Sequence, residues 1–529
     1  MNLKRMTIPQ LIMWVSLFFV IFDNVAFFRN VSRTYAITSV HLAQLLSLSI
    51  LLAVMVVFML NIICYGYTVK PILITLLLIS SMAAYFMDTY NVFIGTHMVQ
   101  NILETNADES MELFSFRLVC YFFSLGVIPS YIVSKIELIQ RPLKKEIAVK
   151  LKIIGISIVC IVVLLLTFSR FYASFLREHQ PLRYYTNPTY YLYSAAKYIH
   201  ESFKKKVTLL TPLGRDAALA ASDTKQKLII LVVGEAARSD HFSLNGYHRE
   251  TNPLLKQEEV ISFPNVTSCG TTTAISVPCM FSNLGRANYT DKEAKSSENL
   301  LDLLSHVGVN VLWRDNNSDS KGVALRVTYE EFKEPENNPE CDDVECRDVG
   351  MLNGLQEYID ARKDKDILIV LHQMGNHGPA YYKRYPKSFE KFRPVCETNE
   401  LSDCTREEII NAYDNAILYT DYFLSRVINL LKENSNGFET AMVYFSDHGE
   451  SLGENGIYLH GVPYAIAPEA QTRIPAIFWF GDSFNINIEE LKDRITNNYS
   501  QDNLFHTVLG MMEIETAVYK HDLDMVKKR

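Results

Sequence analysis

The chain has 529 residues with 51 basic and 59 acidic side chains, a net charge of −8 at pH 7, which excludes the basic face that a nucleic-acid-binding protein needs. Its 48% hydrophobic content excludes a largely disordered chain, and its length leaves room for several domains. The mean hydropathy of +0.04 averages two unlike parts, because the long apolar runs lie before residue 170 and most of the charge lies after it.

Five apolar stretches come first: Leu11–Phe28, Leu45–Ile63, Ile72–Tyr90, Leu118–Ile136 and Ile153–Phe168. Each approaches the ~20 residues that cross ~30 Å of hydrocarbon. Lys4 and Arg5 precede the first stretch, but no small-x-small cleavage site follows, so it reads as a retained anchor. With the N-terminus in the cytoplasm, that side carries Lys4, Arg5, Lys70, Lys135, Arg141, Lys144, Lys145, Lys150 and Lys152. The opposite loops hold Arg29 and Arg33, with Arg117 at a boundary and an acidic loop containing Glu104, Asp108, Glu109 and Glu112. The positive-inside bias then exports everything beyond residue 170. The domains read as 1–169 transmembrane, 170–225 connector and 226–529 catalytic.

The connector is crowded with aromatics: Phe171, Tyr172, Phe175, Tyr184, Tyr185, Tyr190, Tyr191, Tyr193 and Tyr198, followed by Lys204–Lys206. Such a composition predicts short helices lying at the membrane interface, with helix-packing tyrosines as the alternative. From Lys227 onward, short apolar runs at Leu228–Val233, Val309–Trp313, Ile367–Leu371, Ala441–Phe445 and Ile474–Phe480 read as buried strands. Helical stretches near Ser297–His306, Asp348–Ala361 and Arg406–Lys432 alternate with them. The alternation predicts an α/β domain with a largely parallel sheet. In such sheets ligands bind beyond the carboxyl ends of the strands, and that edge receives Glu235, His372, Asp447 and His448.

Six cysteines fall into the close pairs Cys269/Cys279, Cys341/Cys346 and Cys396/Cys404, and there is no C-x2-C unit. Neighbour-paired disulfides in an oxidising compartment fit better than zinc thiolates. Cys64, Cys120 and Cys160 sit in or beside the spans as apolar fillers.

A carboxylate–imidazole group such as Asp447-His448 suits Zn²⁺, and Glu235 can join it or cap a helix. Between Cys269 and Cys279, a disulfide-stiffened hairpin would hold Thr271, Thr272 and Thr273; a helix N-terminus capped by threonine is the alternative. A threonine hydroxyl becomes a nucleophile only beside a base or a metal, and chemistry alone does not choose among the three. His377 and His460, each next to a glycine, suit proton transfer or phosphate contact. Lys321 suits a phosphate as a point charge.

The ordered strings Val-Val-Gly-Glu235, Cys269-Gly-Thr-Thr-Thr273-Ala, Trp-Arg-Asp-Asn-Asn-Ser-Asp-Ser-Lys321, His372-Gln-Met-Gly-Asn-His377-Gly-Pro, Asn411-Ala-Tyr-Asp-Asn and Ser-Asp447-His448-Gly-Glu carry a family likeness. Along essentially its full length the chain resembles the lipid A phosphoethanolamine transferases, including the mobile colistin-resistance enzymes. The resemblance implies a five-helix membrane bundle and a periplasmic α/β domain of the alkaline phosphatase/sulfatase-like fold, in the inner membrane of a Gram-negative bacterium. It implies Glu235, Asp447 and His448 as zinc ligands, with Thr273 as nucleophile and fourth ligand. It also implies His377 and His460 as phosphate or second-zinc residues. His372, Thr271, Asn317 and Lys321 would complete the pocket, and Asn101 and Glu109 would contact the donor headgroup. Residue 272 is threonine where serine is expected, and residue 236 is alanine where threonine is frequent.

The activity implied is a two-step transfer from phosphatidylethanolamine to a lipid A phosphate by a monomer, masking negative charge against polymyxins such as colistin. A core-sugar acceptor and a superfamily hydrolase are the alternatives. The Cys/Ser-x-Pro-x-Arg string of sulfatases is absent.

Overall fold

The computed structural model describes residues 5–35, 39–104, 111, 113–203, 210–220 and 225–526. It divides into two compact units, one of residues 1–102 with 114–203 and one of 103–113 with 204–529.

In the helical unit, His41–Ile63, Val69–Tyr90, Phe116–Lys135 and Leu143–Thr167 are long and apolar enough to span a bilayer. The expected first span is not one straight helix. It consists of Ile8–Phe22 and Val25–Thr34, bent by 54°, so the count is five only if this broken pair is one span. Asp23 and Asn24 lie at the break, where short polar side chains compete with the helical ladder. Asn24 Nδ2 donates to Phe19 O at 2.9 Å and to Asn187 O at 2.6 Å. The Asp88 carboxylate accepts the Ala26 N–H at 2.7 Å, restarting the second helix. Around the other spans the outward faces are apolar, as Ile156, Val159, Val163 and Leu166 illustrate. That is the surface expected against lipid.

The connector forms helices at Ser169–Glu178 and Thr189–Phe203 with a 3₁₀ turn at Gln180–Tyr185 between them. Its aromatics pack inward more than their composition suggested. Phe171, Tyr172, Phe175, Tyr185 and Tyr191 are buried. Tyr172 and Tyr191 share hydrogen bonds with the hydroxyls of Ser47 and Ser80 at 3.0 and 3.1 Å, whereas Tyr193 is exposed.

The second unit is built on an eight-stranded sheet. Its strands are β1 (Lys227–Gly234), β2 (Ile261–Thr267), β3 (Asn310–Asp315), β4 (Thr328–Glu331), β5 (Ile367–His372), β6 (Glu439–Ser446), β7 (Arg473–Phe480) and β8 (Tyr499–Ser500). The spatial order is β8-β2-β7-β6-β1-β5-β3-β4. Only β7 runs against the rest, pairing antiparallel with β2 and β6. All five runs read as strands are present. The sequence reading missed β2, β4 and β8, which are the polar or short strands of the sheet. β1 is buried along its whole length, the pattern of a parallel strand covered on both faces. Ile229, Leu231 and Val233 join a core with Leu300–Leu304 and the helix Asp502–Met511. The long helix Arg406–Asn434 packs on β6. Its N-terminus is closed by a capping box in which Thr405 and Glu408 exchange hydrogen bonds. The expected single helix near 348–361 is a 3₁₀ turn, Asp348–Leu352, and a helix, Leu355–Asp360. Gly354, at φ 68°, separates the two.

Candidate active site

Strand register assembles the site. Gly234 pairs with Ser446 across β1 and β6, so the residues that follow, Glu235 and Asp447, leave the sheet side by side. Val233 pairs with His372, and His372 with Asp315, extending the row along β5 and β3. Gly375, at φ 52°, passes so close that a Cβ there would lie 3.0 Å from the Glu235 backbone.

The geometry of the central group is specific. His448 Nδ1 lies 2.9 Å from Gly449 O, a contact that requires the proton on Nδ1 and leaves a lone pair on Nε2. That Nε2 is 3.4 Å from Glu235 Oε1 and 3.3 Å from Asp447 Oδ2. Both oxygens are buried without a hydrogen-bond partner. Three acceptors thus converge within 4.8 Å, an arrangement that repels itself unless a cation sits among them. The donor set of two carboxylates and one imidazole fits a divalent metal ion. The remaining oxygens are occupied: Asp447 Oδ1 accepts from the Ala236 and His448 N–H groups at 3.0 and 2.7 Å. Burial, reinforced by the Asp447 charge, pushes the Glu235 carboxyl up to about 7.

Thr273 opens a helix, Thr273–Met280, with Thr272 as its N-cap residue. The expected hairpin is therefore a helical turn, bridged by the Cys269–Cys279 disulfide. The Thr273 hydroxyl donates to Glu235 Oε2 at 3.1 Å and lies 3.4 Å from His448 Nε2. It is the threonine that faces the acceptor cluster. Thr271 instead donates to Val462 O at 2.7 Å, and its carbonyl accepts from Gly461 N at 2.9 Å. It ties this turn to the loop of His460. The other two disulfides, Cys341–Cys346 and Cys396–Cys404, are also formed as paired from the sequence.

The remaining expected residues divide. The His460 ring lies 4.2 Å from that of His448, tilted by 46°, and His377 stands 6.2 Å from His460, centroid to centroid. His460 Nδ1 is 3.3 Å from Glu450 Oε2. Asn317 Nδ2 donates to Glu235 Oε2 at 2.9 Å and to Gln373 O at 2.7 Å. The Lys321 ammonium is turned onto Ser318 O at 2.8 Å. His372 is fully buried with its Nδ1 2.9 Å from Asp315 Oδ2. Burial alone would lower its pKa, but the Asp315 charge wins and raises it, so the two form an internal ion pair. Its Nε2 is buried without a hydrogen-bond partner, and the Glu235 and Asp447 charges add to the upward shift. Asn101 is in the helical unit, on the helix Thr96–Glu104, and Glu109 lies outside the described residues.

Three residues escaped sequence reasoning. Asp315 holds His372, accepts from the Trp313 indole at 2.8 Å, and receives the Asn317 N–H at 2.9 Å. Gln501 crosslinks the site, donating to Ser446 O and Asp447 O and accepting from Cys269 N. Tyr413 clasps the turn after Glu235. Asp315 was visible as one more carboxylate at a strand end. Tyr413 lies within the Asn411-Ala-Tyr-Asp-Asn string, which gave it no role, and Gln501 left no local signal.

Helices long enough to span a bilayer, a mixed sheet and metal-type donors at its carboxyl edge describe a membrane protein with a candidate metal-dependent site. Residues 227–514 match the Sulfatase family model. Residues 50–203 match the model described as phosphoethanolamine transferase EptA/EptB. The chain is 45% identical to phosphatidylethanolamine transferase Mcr-1 of Escherichia coli, over 88% of each chain. It is 37% identical to phosphoethanolamine transferase EptA of E. coli K12, covering 95% of this chain and 94% of that one. The solved structure of the integral membrane lipooligosaccharide phosphoethanolamine transferase A (EptA) from Neisseria meningitidis superposes with a TM-score of 0.95 at 35% identity, covering 99% of both chains. The chain belongs to the phosphoethanolamine transferase family and is an enzyme that transfers phosphoethanolamine.

Proposed function

We propose that the enzyme takes phosphoethanolamine from phosphatidylethanolamine and delivers it to a lipid A phosphate, with Zn²⁺ held by Glu235, Asp447 and His448 and with Thr273 as nucleophile. The carrying observation is the placement of the Thr273 hydroxyl, 3.1 Å from Glu235 Oε2 and beside three convergent lone-pair donors. When bound, the ion supplies positive charge that favours the deprotonated hydroxyl and offsets charge on the phosphoryl oxygens.

In the first step Thr273 Oγ1 bonds to the donor phosphorus as the bond to the diacylglycerol oxygen breaks, and that oxygen takes up a proton. His460, whose Nδ1 meets Glu450 Oε2 at 3.3 Å, is assigned to pass that proton through Nε2. The phosphorylated threonine is favoured at the first position of its helix, where N–H groups point outward. In the second step a lipid A phosphate oxygen bonds to the same phosphorus, and the threonine oxygen leaves. Asn317 keeps Glu235 oriented throughout. His377 and Lys321 are assigned to phosphate binding, and Asn101 and Glu109 to the donor's ammonium headgroup, where a carboxylate attracts a cation.

Three disulfides accord with a periplasmic catalytic unit on an inner-membrane anchor. An ammonium added to lipid A offsets phosphate charge, weakens attraction of cationic peptides, and so confers polymyxin resistance. The experiment is Thr273→Ala expressed in a Gram-negative host. Intact-protein mass should lose the phosphoethanolamine adduct and lipid A mass spectra should lose the modification. A modified lipid A at the wild-type level would remove Thr273 from the mechanism.

A further inference from the structure

The Asn411-Ala-Tyr413-Asp414-Asn415 string sits in the middle of the long helix Arg406–Asn434, and nothing in the transfer reaction uses it. Each polar member nevertheless reaches off the helix. Asn411 and Asp414 hold the Arg249 guanidinium at 2.7 and 2.9 Å. Asp414 also receives His241 and the Tyr247 hydroxyl. Asn415 accepts from the N–H groups of Lys391 and Phe392. Tyr413 reaches the segment that follows Glu235. Its hydroxyl donates to Ala236 O at 2.7 Å and accepts from Arg238 N at 2.9 Å, so one buried oxygen bridges both sides of that turn.

The turn needs holding. Ala236 has φ 53°, a left-handed conformation that is strained for a residue with a Cβ. In this turn the Ala236 N–H meets Asp447 Oδ1 and the Ala237 N–H meets Ser446 Oγ, at 3.0 and 2.8 Å. The first of these contacts occupies one Asp447 oxygen and leaves Oδ2 facing Glu235 and His448. Asn376 adds a second tie, since its Nδ2 donates to Tyr413 O at 3.1 Å and its N–H to Glu235 O at 3.0 Å.

We propose that Tyr413 is a positioning residue for the metal centre: its hydroxyl locks the left-handed turn at Ala236 and thereby aims Glu235 and Asp447 at a shared ion. The inference rests on the reading of Glu235, Asp447 and His448 as metal ligands. Supporting groups behind metal ligands typically change metal affinity by about 10–100-fold when removed. Tyr413→Phe keeps the ring, which packs edge-on against Tyr381 and His241, and removes only the bridge.

The test is zinc affinity of the full-length protein in detergent, measured by competition with a chromophoric chelator. Four proteins are compared: wild type, Glu235→Gln, Tyr413→Phe and Tyr413→Phe with Ala236→Gly. Tyr413→Phe should weaken zinc binding at least about tenfold. Ala236→Gly should restore most of that loss, because glycine adopts φ 53° without penalty. Wild-type affinity in Tyr413→Phe, with binding lost in Glu235→Gln, would overturn the positioning role alone. A weakening that Ala236→Gly fails to rescue would mark general destabilisation and overturn it equally. Undiminished affinity in Glu235→Gln would overturn the ligand assignment and the positioning role with it.

Discussion

Glu235 supplies a measurable link between burial and metal binding. Its carboxyl, ordinarily near 4.5, is pushed up to about 7 by burial and by the neighbouring Asp447 charge. Between those two pH values the metal-free folded chain holds a proton that the unfolded chain has released. Stability from this group is therefore complete below about pH 4.5, falls as pH rises, and is gone above about pH 7. At 1.36 kcal/mol per tenfold change in proton affinity, the whole effect is on the order of 3 kcal/mol. For a unit of this size that amounts to roughly 5 °C in Tm. Glu235→Gln cannot titrate, so the wild-type-minus-variant difference in Tm isolates the group. In chelator-treated protein that difference should drop by about 5 °C between pH 4.5 and 7.5. Zinc should reverse the trend, because ligation needs the carboxylate; at a hundred times Kd, bound metal adds about 2.7 kcal/mol. The zinc-induced rise in Tm should therefore be larger at pH 7.5 than at pH 5. A flat difference without metal, or an equal zinc effect at both pH values, would refute the burial argument.

Two further substitutions probe the shell around the ligands. Asn317→Leu removes the amide donor to Glu235 Oε2 and leaves the Gln373 carbonyl without that partner. Losing a hydrogen bond to a buried charge costs about 1.5–3 kcal/mol, so kcat/KM measured with a fluorescent phosphatidylethanolamine should fall about 10–100-fold; a fall under threefold would refute the contact. Asp315→Asn strips His372 of its buried counter-ion and should destabilise the catalytic unit by about 3–5 kcal/mol. Differential scanning calorimetry would show this as a lowered Tm, and a loss below 1 kcal/mol would mean that the pair contributes little.

Hydropathy and strand ends were legible because each depends on local chemistry. Twenty apolar residues in a row can satisfy their backbone in lipid only as a helix, which is why four of the five expected spans are single long helices. A parallel strand covered on both faces must be continuously apolar, which is why β1, β5 and β6 could be read, with Glu235, His372 and Asp447 at their ends. The cysteine pairs were equally local. β2 and β4 escaped because each carries polar residues, such as Asn265 in β2 and Glu330 and Glu331 in β4.

What composition could not decide was partnership. The first span breaks because Asn187 and Asp88, distant in sequence, offer better partners than the helix ladder does. His372 shares its strand-end position with Glu235, yet its Nδ1 is taken by Asp315. Three adjacent threonines are chemically equal until the turn at 272 points Thr273 at Glu235 and Thr271 at Val462. The amino-acid sequence by itself determined which segments cross the membrane, which build the sheet, and which side chains wait at its edge. Tertiary structure alone decided which lone pairs meet. A ligand set is a matter of angstroms between residues more than two hundred positions apart, and only strand register and the turns that follow it bring them to that distance.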